Sequence, residues 1–166
     1  MHFFRGELEA FRAEVERAID IAPNGVGLTG NAGLFLAYAG EWELGLALIE
    51  EAKAFDPFYP GWYHFGAFFD YYRKGNYDAA LAEAQKVNMT DYVWAQALLA
   101  AAYGQLDRAN DAQTYVERIL ELDPDFETTA RANRWKWFRY QEDVLDRFME
   151  GLRKAGLDVE VGNVRR

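Results

Sequence analysis

Apolar residues recur at intervals of three and four along most of this chain, interrupted by short polar turns. Leu8, Phe11, Val15, Ala18 and Ile19 keep that spacing and predict a helix over 8–21, ending at Ala22-Pro23. Three turns punctuate the middle: Ala39-Gly40-Glu41-Trp42, Lys74-Gly75-Asn76-Tyr77 and Leu106-Asp107-Arg108-Ala109. Gly40 and Gly75 suit the left-handed conformation that closes a helix, and Asp107 takes the matching place. Five residues past each comes a small side chain, Gly45, Ala80 or Ala112, which lets two antiparallel helices approach closely. Seven further on, Ala52, Val87 and Ile119 lie on the same helical face.

The second helix of two of these hairpins stops at proline, in Phe55-Asp56-Pro57 and Leu122-Asp123-Pro124. Pro57 stands 34 residues after Pro23, and Pro124 stands 67 after Pro57, one short of two such periods. A period in the mid-thirties predicts stacked helical hairpins. The irregularity is local: Phe58-Tyr59-Pro60 adds a residue, and Val87-Asn88-Met89-Thr90-Asp91 replaces a closing proline. Beyond Pro124 two more helices are expected, near Phe126–Phe138 and Gln141–Ala155. The second carries the stripe Val144, Leu145, Phe148, Leu152 and Ala155 and stops at Gly156. Leu157 to Arg166 show little packing signal and read as a loose tail.

The Gly-x-aromatic turn, the small residue and the terminal Asp-Pro resemble the tetratricopeptide repeat. Three segments resemble, more narrowly, the C-terminal repeat region of bacterial adenylate/guanylate-cyclase-containing proteins. They are Pro60-Gly61-Trp62-Tyr63-His64-Phe65, Leu98 to Leu106, and Gly151 to Leu157. Such regions also follow winged-helix transcriptional regulators. The expected fold is all-α, a right-handed solenoid of antiparallel hairpins with about nine helices in one domain. A leading half-repeat (7–23) precedes repeats at 26–59, 61–92 and 93–124, a helix pair (125–156) and the tail (157–166). A half-repeat at the start suggests a fragment of a longer signalling or regulatory protein. The cyclase domain itself has no counterpart here, so the resemblance implies a sensory, scaffolding or assembly module.

In tetratricopeptide arrays the first helix of each hairpin lines a concave face. Trp62, Phe65, Phe69 and Tyr72 would form one stripe there, with Trp94 equivalent in the next unit and Leu34 and Tyr38 in the previous one. Such a groove would hold an apolar or amphipathic segment of a protein or peptide. The same residues are alternatively interrepeat core, or a groove plugged by the C-terminal helices through Trp135 and Trp137. Arg73 is the nearby cation. Leu34, Phe69 and Ala101 stand where clamps for acidic chaperone tails carry Lys, Arg or Asn, so no chaperone-tail binding is expected. The competing reading is a structural spacer or homodimerisation module, with the apolar face of the leading helix seeking a second copy.

Composition narrows the chemistry. A net charge of −9 argues against a general nucleic-acid binder. There is no cysteine, which removes disulfides, thiolate nucleophiles and cysteine metal sites. No apolar run approaches the ~20 residues of a membrane span. Met1 to Gly6 lacks the apolar core of a signal peptide, so the cytoplasm is the expected compartment. His64 and Asp70, near Tyr63 and Asp56, are the acid–base candidates. Six helical positions separate that pair by roughly 240°, on different faces. No phosphate-binding loop or catalytic triad spacing appears. The expectation is a non-enzyme with no cofactor and no metal.

Overall fold

The computed structural model describes residues 2–21 and 25–161, and every regular element among them is helical. Ten α-helices follow in order: α1 (His2–Arg5), α2 (Leu8–Ile21), α3 (Val26–Tyr38), α4 (Trp42–Phe55), α5 (His64–Arg73), α6 (Tyr77–Lys86), α7 (Val93–Gln105), α8 (Ala109–Leu122), α9 (Phe126–Phe138) and α10 (Glu142–Ala155). A 3-10 turn, Gly61–Tyr63, leads into α5. Pro23, the first of the spaced prolines, and residues 162–166 lie outside the described residues. Among the described residues no helix is long and apolar enough to cross a membrane.

The turn chemistry sets the helix ends. Gly40, Gly75 and Asp107 all have positive φ, at 99°, 77° and 55°. Each reverses the chain within a few residues, so successive helices become neighbours. Asp56 and Asp123, each before a proline, are extended. Asn76 caps α6 by accepting from the Ala79 N–H at 3.3 Å. α3 packs on α4, α5 on α6 and α7 on α8, with α6 also against α7. At Gly45 the approach of α4 to α3 is close: an added Cβ would stand 2.4 Å from the Gly33 carbonyl oxygen.

The last two helices return over the first helices of these pairs. α9 crosses α7, α5 and α3 in that order. Phe126 meets Trp94 at 5.2 Å, and Phe138 meets Phe69 at 4.7 Å and Tyr38 at 4.9 Å. α10 then packs chiefly along α7 and touches α5, α8 and α9. Its buried stripe, Val144, Leu145, Phe148, Leu152 and Ala155, joins the common core.

Two expectations change. Ten α-helices replace about nine, because α1 is too short to carry a period in sequence. It forms because Phe3 is fully buried among Phe4, Phe11, Phe35 and Tyr140. The start of the tail is not loose. Leu157 and Val159 are buried, Val161 packs on the core, and the Asp158 N–H donates to Glu127 at 2.7 Å. Its signal was alternation, apolar at 157, 159 and 161, which a search at helical spacing passes over.

Candidate functional site

The predicted stripe divides by what covers each residue. Phe69 and Tyr72 are fully buried. Phe69 is enclosed by Phe138 and by Phe148 at 5.3 Å. Tyr72 lies against Phe148 at 5.9 Å, and its hydroxyl reaches the Arg147 carbonyl at 3.2 Å. Burial raises the Tyr72 hydroxyl well above its ordinary range. These two side chains are core, because α9 and α10 lie on them. Arg73 also leaves the stripe. Its guanidinium grips Asp70 at 2.7 Å and covers the Trp42 ring at 4.7 Å.

The other residues lie around or beside a pocket, with Leu34, Tyr38 and Phe65 buried and Trp62 and Trp94 half-buried. Where α9 crosses α3 and α5 a pocket of about 240 Å³ remains. Leu34, Phe35 and Tyr38 of α3 form one wall, and Trp62 and Phe65 a second. The connection between α6 and α7 supplies Met89 and Tyr92. This is the irregular connection that lacks a closing proline. Asn88 there has φ 49°, and buried Gln96 donates to the Thr90 carbonyl at 3.1 Å. Tyr92 stacks on Phe65 at 6.2 Å as a result. Trp137 of α9 closes the far side, stacked on Phe35 at 5.4 Å.

Of the two plugs considered, Trp137 fills this role. Trp135 points outward, 46% exposed. Trp94 lies just outside the lining, half-buried beneath the Arg134 guanidinium at 4.6 Å.

Arg134 is the residue that the stripe reading missed. It lines the pocket and is only 4% exposed. Its signal was legible in α9: Phe126, Ala130, Arg134 and Phe138 recur every four residues, and the other three are fully buried. An arginine within an apolar stripe marks a buried charge. It faces Tyr38, whose hydroxyl burial pushes up to about 12 against the opposing pull of that charge.

The acid–base candidates lie elsewhere. His64 and Asp70 both line an open cleft of about 740 Å³ between α4, α5 and α6, so the cleft spans the faces that helical geometry separates. They do not pair with each other. His64 donates to Glu83 at 2.8 Å, whereas Asp70 is held by Arg73 and by Lys74 at 2.6 Å. Burial pushes the Glu83 carboxyl up, but hydrogen bonds from Lys86 and His64 outweigh it and the net shift is downward.

The native Glu83 carboxylate therefore binds a proton less readily than the unfolded one. Its contribution to stability is complete above the ordinary carboxylate range and is lost as pH falls through its native value. Glu83→Gln is expected to cost about 1–3 kcal/mol near pH 7. The difference from wild type should close below the usual carboxylate range, near 4.5. Urea melts of both proteins across pH 3–8 check this, and a constant difference across that range would contradict it.

No protein-family model matches this chain, and no curated protein matches it.

Proposed function

We propose that this chain is a non-catalytic binding module of the tetratricopeptide type, a solenoid of helix hairpins that holds a peptide or protein segment. The observation that carries the reading is the aromatic pocket between α3, α5 and α9. Four residues singled out for a concave face, Leu34, Tyr38, Trp62 and Phe65, line it together. Rigid aromatic side chains around a concave site are the usual anchors of affinity. The hairpin reading is supported by three packed helix pairs with a left-handed residue in each turn. The narrowing by α9 and α10 favours a short anchoring segment, one or two side chains deep, over a long peptide lying along the whole face. Asp70 bound to two cations and His64 bound to Glu83 support a structural role for the open cleft. On the resemblance to repeat regions beside cyclases and regulators, the setting is a signalling or regulatory assembly.

Selection of peptides from a random library tests this. Selected sequences are expected to share a bulky apolar anchor. Trp62→Ala, at a half-buried site the fold tolerates, is expected to weaken them by about tenfold or more. Peptides that bind wild type and Trp62→Ala alike, or a library that yields none, would overturn the reading.

A further inference from the structure

Arg134 places a planar guanidinium with five N–H donors at a buried site. Its guanidinium lies over three rings, Trp94 at 4.6 Å, Phe69 at 5.7 Å and Phe138 at 5.8 Å. Those rings address the faces of the guanidinium plane. Of its in-plane N–H groups, the buried Nε and Nη2 have no hydrogen-bond partner among the described residues, while the Tyr38 hydroxyl lies within hydrogen-bonding reach of the guanidinium. No carboxylate among those residues pairs with it, whereas its neighbour Arg131 is bound to Asp146 at 2.7 Å. An unpaired buried charge is costly, and an apolar side chain of the same volume would serve packing better. Nε and Nη2 are adjacent donors on one edge of a rigid fork, which matches the two oxygens of a carboxylate.

Resting on the reading of the pocket as a binding site, we propose that it takes a carboxylate carried on an apolar body about the size of one large side chain, with Arg134 as its cation. The walls set the apolar half: Leu34, Phe65, Met89 and Trp137 have no charge to offer. The single cation argues for a monoanion, since a phosphate dianion would want a second one. The volume of about 240 Å³ sets the size. Such a carboxylate could be the C-terminus of a peptide or a free apolar acid; both present the same chemistry to Arg134. The cation comes from α9, away from the first-helix positions where chaperone-tail clamps place theirs.

The experiment compares matched acids and amides by calorimetry and intrinsic tryptophan fluorescence, with Trp62 and Trp137 in the pocket as reporters. One pair is 3-phenylpropanoate and 3-phenylpropanamide; the other is N-acetyl-Gly-Leu with a free or amidated carboxyl. The full chain is expected to bind at least one acid about tenfold or more tighter than its amide. Arg134→Met is expected to abolish that preference while its melting temperature holds or rises. Whichever pair binds more tightly identifies the source as free acid or peptide terminus.

Acid and amide binding alike would overturn the role of Arg134 and leave the pocket reading standing. An acid preference that survives Arg134→Met would overturn it too. If no compound of either pair binds, both readings fail. Should Arg134→Met not fold, Arg134→Gln and the wild-type acid–amide ratio decide the matter.

Discussion

Gly151→Val is expected to unseat α10 and destabilise the protein by about 3 kcal/mol or more, at the upper end of what overpacking costs. A Cβ at 151 would lie 2.1 Å from the Tyr72 hydroxyl and 2.7 Å from the Ala101 carbonyl oxygen. The partner surface has no slack, since a Cβ at Gly104 would stand 2.0 Å from the Gly151 carbonyl oxygen. Two backbones meet here, and backbone cannot rotate aside as a side chain can. Relief requires α10 to lift from α7, its principal neighbour. Lifting also exposes Phe148, Met149 and Leu152, all fully buried.

Urea denaturation gives the loss, and hydrogen exchange should place it first in α10 and in the Leu157–Val159 segment. Gly27→Ala is the control. No neighbouring atom among the described residues stands within 4 Å of the added methyl, so it should be neutral or slightly stabilising. Equal melting of the two variants would show that the close approach does not hold α10.

Phe69→Ala is expected to cost about 3–5 kcal/mol. Phe69 is fully buried and touches Tyr38, Phe68, Phe138 and Phe148, with centroids from 4.7 to 5.9 Å. It is the point on α5 where both C-terminal helices anchor, so truncation leaves a cavity with walls on four helices, α3, α5, α9 and α10. It also takes one of three rings from Arg134. For a chain of this size each kcal/mol should appear as about 2–4 °C in melting temperature. A residue on an open groove would behave oppositely, with little change in stability and a large loss of binding. A stability loss under about 1 kcal/mol would return Phe69 to an accessible surface.

The contrast between Phe69 and Phe65 shows how far sequence reaches into the site. They stand four apart on one helix face, both phenylalanines and both parts of the predicted stripe. Phe65 meets the pocket, whereas Phe69 meets Phe138 and Phe148. Nothing within α5 distinguishes them. The difference is where α9 passes, and that depends on residues some seventy positions away. Arg134 is the reverse case. Its place in a four-residue stripe was readable, but a reading centred on the first helices did not weigh it. Arg73 was the nearby cation in sequence, yet Asp70 three residues before it claims it first. The Leu157–Val161 alternation shows the same bias, because a search for helical spacing passes over an extended segment.

The sequence by itself determined the longer helices and the turns between them. Leu8–Ile21 and Phe126–Phe138 are helices at those bounds, and Gly40, Gly75 and Asp107 are left-handed where the turns require it. Those features depend on side-chain spacing and backbone sterics within a few residues, which the local chain carries whole. Tertiary structure alone decided which aromatic residues are covered, that α10 lies along α7, and that Arg134 is enclosed among rings. Those outcomes depend on contacts between distant segments, because burial is a property of whatever helix arrives opposite, and an amphipathic stripe does not name its partner.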